Sequence, residues 1–300
     1  TYEEVVKKFK SKFNIGKNLF ICYSPEREDP GNKQYKTIDV PKVISGHTKN
    51  CLEVGKVFYS SIFKKLEPVS STAAAEFTKL LENIYRSVNI GLINELKIIS
   101  KNMKLNINNV IKLASTKPFG FQAFYPGPGL GGHCIPIDPF YLAWLAKQQG
   151  LTTRFIELAG EINTAMPQYV IQRVTDALHV RNKALIGSKI LVLGVAYKKD
   201  VDDPRESPSF PIIETLISRG AQVTYNDPHI ARLPQMRNYQ IRMESQPLTV
   251  DSLHAQDCVL LLTDHSDYEL SWILEHCQLL VDTRGATRKM DAYRDRIVSA

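Results

Sequence analysis

The segment richest in chemistry is Pro126-Gly-Pro-Gly-Leu-Gly-Gly-His-Cys-Ile-Pro-Ile-Asp138-Pro. Its four glycines, Gly127 to Gly132, let the backbone turn sharply and approach another group with no Cβ in the way. Cys134 follows, with Pro136 at a position suited to a first helical turn and the run FYLAWLAKQQ behind it. A thiol at a helix N-terminus gains from free amides and the dipole, which lower its pKa below ~8.5 and ready it as a nucleophile. Asp138, four residues on, is placed to take a proton or orient water beside the sulfur. A buried structural cysteine and a His133/Cys134/Asp138 metal site are the competing readings, though no second Cys/His pair lies nearby. Lys79 and Asn83 form an i, i+4 pair and project side by side on a helix. Lys198 and Lys199 directly follow the strand pattern ILVLG, so they fall at the carboxyl end of a sheet strand, where α/β folds bind ligands.

Three successive regions carry these residues. Residues 1–70 alternate short elements: a helix near 1–13, an apolar run over 19–23, a strand at 43–45, a helix near 49–62 and a strand at 66–69. No GxGxxG occurs in the 300 residues, so this region reads as the C-terminal remnant of a dinucleotide-binding sheet domain. Residues 71–183 are helical throughout, with a long amphipathic helix from Ser71, a shorter one near 106–114, a Gly/Pro-rich loop over 117–132, and helices near 136–149 and 153–179. Residues 184–300 return to strand, loop and helix, a second α/β unit. The fold class is therefore α/β, with a partial Rossmann-like domain, a central long-helix domain and a C-terminal Rossmann-like domain.

Composition narrows the function classes. The apolar share of 43% and the charged share of 23% are those of a folded globular chain. No apolar run reaches the ~20 residues of a membrane span, and charges replace an apolar signal core at the N-terminus, which reads as soluble and unexported. Five scattered cysteines without CxxC spacing fit a reducing cytoplasm better than a disulfide scaffold. The net charge of +7 favours anionic ligands, but the basic run over 7–12 lacks the aromatic interleaving of single-strand nucleic-acid binders. Neither nucleic acid nor membrane is expected as a partner.

Five motifs in order, SPER at 24–27, EFTKLLENIYR at 76–86, GPGLGGHCIPIDP at 127–139, GVAYKKDVDDPRESP at 194–208 and DTRGATR at 282–288, resemble the UDP-glucose/GDP-mannose dehydrogenase family of nucleotide-sugar 6-dehydrogenases. The wording PGPGLGGHCIPIDPFYLAW is most similar to its UDP-N-acetylglucosamine 6-dehydrogenase branch, which serves bacterial polysaccharide synthesis. The resemblance implies oxidation of the sugar C6 alcohol in two steps by NAD+, through a thiohemiacetal and a thioester on Cys134. It implies Lys79 and Asn83 as stabilisers of the developing oxyanion, and Glu26 or Asp138 as the residue activating the hydrolytic water. By the same resemblance one of Lys198 and Lys199, with Arg284, holds the UDP phosphates or ribose, Arg205 meets NAD, and Phe119 and Gly131 line the substrate pocket. Family members are dimers or larger through the long central helix. The family's Gly-rich NAD turn is absent from these residues, so the chain alone is expected to turn over poorly. A UDP-sugar-binding module without redox activity, and a cysteine hydrolase or transferase, are the alternatives.

Overall fold

The computed structural model describes residues 1–29, 31–32, 34–236 and 238–300. The chain divides into two compact units, Thr1–Tyr85 and Arg86–Ala300. In the first, a short π-helical turn (Tyr2–Val6) and α1 (Lys7–Phe9) replace the longer helix expected over 1–13. The residues beyond Phe9 fold instead into turns, and the run of lysines there gives no apolar stripe to bury. A three-stranded sheet follows, ordered β1 (Cys22–Tyr23), β2 (Lys42–Gly46), β3 (Leu66–Pro68), with β1 antiparallel and β3 parallel to the central β2. Helix α2 (Lys49–Ser60) crosses from β2 to β3, opened by Thr48, whose side-chain oxygen accepts from the Cys51 amide.

Helix α3 (Thr72–Asn102) begins in the first unit and continues into the second, followed by α4 (Ile107–Ala114), α5 (Asp138–Gln148) and α6 (Arg154–Val180). Within the second unit α3 and α6 meet closely at Gly91, where an added Cβ would lie 3.2 Å from the Ala159 backbone. Two buried asparagines fasten the same contact: Asn94 Nδ2 donates to Asn163 Oδ1 at 2.9 Å, and Asn163 Nδ2 donates to the Ser87 carbonyl at 3.1 Å. Paired buried amides stabilise a packing only when satisfied, and these are.

The sequence then builds an all-parallel five-stranded sheet in the order β5 (Gln222–Asn226), β4 (Lys189–Leu193), β6 (Cys258–Leu261), β7 (Leu280–Asp282), β8 (Ile297–Ser299). Near-continuous apolar strands are what a sheet covered on both faces requires, and β4, β6 and β7 have no exposed residue except Lys189. Helices α6 and α7 (Ser209–Ser218) cover one face, and α8 (Val250–His254) with α9 (Leu270–His276) cover the other. This order reverses between β4 and β6, the first and third strands of the sheet, so its ligand crevice is expected at the carboxyl ends of those two strands.

Candidate active site

The glycine-rich loop is shaped by its neighbours. A Cβ on Gly131 would lie 2.6 Å from Tyr197 Cβ and 3.0 Å from the Glu206 carbonyl, so this glycine is consumed by packing against the loop after β4. Gly132, at φ 86°, sits under the Tyr197 ring and donates its amide to the Arg205 carbonyl at 2.9 Å. At the other end the Gly127 amide donates to Asn94 Oδ1 at 3.0 Å, and its Cα faces Arg284 so closely that a Cβ would lie 2.8 Å from Nη1. Two other motifs, 194–208 and 282–288, thus converge on this loop.

Cys134 leaves this loop half-buried, its Sγ 3.8 Å from His133 Nδ1. It does not open the helix as expected. Helix α5 starts at Asp138 with Ile137 as its N-cap and Pro139 as the proline of the first turn, while the Cys134 carbonyl accepts from the Ile137 and Asp138 amides at 3.1 and 2.8 Å. The sulfur therefore belongs to the turn that leads into the helix, not to the first turn of the helix itself. Asp138 does follow one turn later, as the spacing required.

Arg205 is exposed and gripped by Asp203, with Nε 2.9 and 3.0 Å from the two carboxylate oxygens and Nη2 2.6 Å from one of them. The Asp203 hydrogen bond holds the guanidinium above its usual pKa, and the proximity of Cys134 adds to this. Arg284 is half-buried, its Nε donating to the Leu262 carbonyl at 2.6 Å at the end of β6. Burial lowers its pKa, opposed by Asp264 and Asp282. The turn that presents it is organised by Asp282, whose carboxylate accepts from the Arg284, Gly285 and Thr287 amides and the Thr287 hydroxyl at 2.7 to 2.8 Å. Lys199 lies near the same place, its Nζ 3.9 Å from Asp264. The Cβ side of Gly131 is filled by Tyr197; Phe119 is 70% exposed, with Lys117 Nζ 5.0 Å above its ring.

The first unit carries the other expected residues. Lys79 and Asn83 are half-buried one turn apart on α3. Glu26 accepts from the buried Lys42 ammonium at 2.9 Å and from the Arg27 and Glu28 amides. Burial raises its pKa, but these bonds outweigh it and hold the carboxyl below the ordinary range, which makes Glu26 a weak base.

Several residues of the second unit escape a reading by spacing. Asn94 and Asn163 fix the loop from below, and Asp282 fixes the Arg284 turn. Lys97 is buried beneath that turn and donates to the Thr283 carbonyl at 3.2 Å. Burial pushes its pKa down to about 7; Asp282 pulls it up, while Arg284, Lys101 and Arg173 push it lower. The ligand atoms of Asp200, His229 and His265 lie within 4.8 Å of one another, a spacing that can hold a metal ion. Both His265 nitrogens are, however, already engaged, with the Asp200 amide at 3.0 Å and Asp227 Oδ2 at 3.2 Å. Behind the glycine loop a cavity of about 330 Å³ opens, lined by Gly129, Ile135, Phe140, Asn163, Pro208 and Tyr239 among others. Among the described residues no helix is long and apolar enough to cross a membrane.

Comparison with known proteins identifies residues 73–165 with the central domain, and residues 191–289 with the UDP binding domain, of the UDP-glucose/GDP-mannose dehydrogenase family. The UDP-N-acetyl-D-mannosamine dehydrogenase of Methanococcus vannielii is 32% identical over 280 residues, which cover 90% of this chain and 62% of that protein. The UDP-N-acetyl-D-glucosamine 6-dehydrogenase of Pseudomonas aeruginosa is 33% identical over 266 residues, covering 88% and 61%. The chain therefore spans about three-fifths of the length of these relatives. Among solved structures, the UDP-N-acetyl-mannosamine dehydrogenase Cap5O of Staphylococcus aureus superposes with a TM-score of 0.76 at 30% identity, over 100% of this chain and 68% of that one.

Proposed function

Because the chain belongs to the UDP-glucose/GDP-mannose dehydrogenase family, we propose that it is the substrate-binding and nucleophile-bearing part of an enzyme that oxidises C6 of a UDP-N-acetylhexosamine to the carboxylate. The observation that carries this reading is the convergence of the Cys134 loop with the Tyr197–Glu206 loop and Arg284 at the ends of β4 and β6. A nucleotide diphosphate needs fixed cations there, and Lys199, Lys198 and Arg284 supply them, arginine's fork being suited to phosphate oxygens.

In this reading Cys134 Sγ, as thiolate, bonds to the C6 aldehyde carbon and gives a thiohemiacetal oxyanion. Lys79 and Asn83, one turn apart on α3, carry the donors that the family resemblance assigns to a developing oxyanion. Loss of hydride from the adduct leaves a thioester, and water cleaves the C–S bond, releasing the carboxylate and the thiol. Asp138, one turn after Cys134, is the carboxylate assigned to receive the water proton, since the bonds from Lys42 and two amides make Glu26 a weak base. NAD+, the family oxidant, would supply the acceptor for two hydrides. Among the described residues no Gly-rich turn cradles its pyrophosphate: the turn after β2 offers Gly46, where a Cβ would lie 2.1 Å from the Leu52 amide. Arg205 is the residue of this chain assigned to meet it. The three-domain partition at 71 and 184, a cytoplasmic setting and self-association belong to the same proposal. Support for self-association comes from the exposed Leu92, Leu96 and Ile99 on α3 and from Trp144 and Phe155 on α5 and α6.

UDP-N-acetylglucosamine is the proposed substrate, and the similarity to mannosamine enzymes supports its 2-epimer as the second choice. The test offers both sugars with NAD+ and measures NADH and uronate by absorbance and mass spectrometry. Wild type yields two NADH per uronate at a low rate, and Cys134→Ser yields no uronate. Full uronate formation by the serine variant would remove the covalent route, and absence of UDP binding in calorimetry would remove the whole reading.

A further inference from the structure

The two lysines assigned to phosphate are carried by a backbone that ends in an unusual residue. Asp200, immediately after Lys198-Lys199, adopts φ 57°, the left-handed region that aspartate enters more readily than most side chains when hydrogen bonds hold it there. Three bonds do so. The Asp200 amide donates to His265 Nδ1 at 3.0 Å, and the Asp200 carboxylate accepts from the Ser266 amide and hydroxyl, both at 2.7 Å. An amide can only donate, so His265 Nδ1 is unprotonated and Nε2 carries the hydrogen, which it gives to Asp227 Oδ2 at 3.2 Å. Asp227 in turn accepts from the Val195, Ala196, His229 and Ile230 amides at 2.7 to 3.2 Å. Burial raises the Asp227 pKa, but the bonds from His265 and the amides outweigh it and hold the carboxyl below its usual range. Both side chains are buried, His265 at 2% and Asp227 at 3% exposure. One imidazole and one carboxylate thus join the ends of β4, β5 and β6.

We propose that His265 is a positioning residue for substrate phosphate: as the neutral Nε2–H tautomer, braced by Asp227, it clamps the Asp200 amide and so fixes the turn that aims Lys198 and Lys199. This rests on the reading that those lysines face the diphosphate. The two ring nitrogens have separable duties. His265→Asn keeps an acceptor near the Nδ1 position and loses the bond to Asp227, whereas His265→Gln keeps a donor near Nε2 and leaves the Asp200 amide unpaired.

Calorimetric titration of the 300-residue chain with UDP, and with uridine as a ligand without phosphate, tests this. The Gln variant should bind UDP about tenfold more weakly, in line with loss of one buried hydrogen bond, the Asn variant within about threefold of wild type, and uridine should bind all three alike. Equal UDP affinity in all three proteins overturns the proposal, as does parallel loss of UDP and uridine, which marks a general structural role. Wild type that fails to bind UDP overturns the functional reading and this inference with it. If the Gln variant does not fold, Ser266→Ala, which removes an exposed bond to the Asp200 carboxylate, should weaken UDP about threefold; unchanged affinity there overturns the clamp.

Discussion

Replacing Lys97 by methionine should abolish a rise of stability with pH. The ammonium is buried beneath the Arg284 turn and its pKa in the folded chain is about 7, against 10.5 for an unhindered lysine. Between those values the unfolded chain binds the proton that the folded chain has shed, so stability increases as pH rises through this window. A full unit of pH at the steepest part is worth ~1.4 kcal/mol, and integration from about pH 7 to pH 9 gives roughly 2 kcal/mol. For a unit of this size that corresponds to about 4–8 °C in melting temperature. The assay is the difference between wild-type and Lys97→Met melting temperatures, followed by circular dichroism at the two pH values. The burial-raised phenol of Tyr225, pushed up to about 12, and thiol of Cys277, pushed up to about 11, are common to both proteins and cancel in that difference. Methionine preserves most of the volume and forfeits the bond to the Thr283 carbonyl. Parallel pH trends in the two proteins would refute the reasoning, since they would mean that Lys97 is charged, or solvated, throughout.

Other outcomes follow from the same geometry. Asn94→Ala strands the Gly127 amide and the Asn163 amide group, which should lower unfolding free energy by about 2–4 kcal/mol in urea titration; a loss below a few tenths would show that water replaces the side chain. Gly131→Ala forces a Cβ against Tyr197 and should cost about 1–3 kcal/mol, with UDP affinity falling in calorimetry; a fully stable variant would mean the loops separate freely. Charged substitution at Trp144 and Phe155, both more than half exposed, should shift sedimentation toward monomer, and an unchanged profile would place self-association elsewhere.

Periodicity made the long helices legible, because an apolar stripe repeating through residues 80–96 leaves little choice of conformation, and α3 and α6 run nearly as the pattern required. The strands of the second sheet were equally plain, each an apolar run between glycine and polar loops. The start of helix α5 is ambiguous in the sequence because Pro136 and Pro139 both suit a first turn, and only the amide pairing to Cys134 decides between them. The glycine loop was visible as a ligand-wrapping segment, yet its glycines answer to Tyr197, Pro208 and Arg284, residues distant in the chain whose approach leaves no local signature. Buried pairs such as Asn94 with Asn163 and Asp227 with His265 were invisible for the same reason: hydrogen-bond partners separated by tens of residues share no spacing rule.

The packing of Gly131 and Gly132 on Tyr197, closed by the amide bond to Arg205, gives the sulfur-bearing turn and the loop that follows β4 a common mechanical fate. If the proposed nucleotide binding orders one turn it should order the other, and any coupling between Cys134 and nucleotide must be equal in both directions. The Gly132 amide would register this directly, its hydrogen exchange slowing when UDP occupies a crevice the amide does not itself enter.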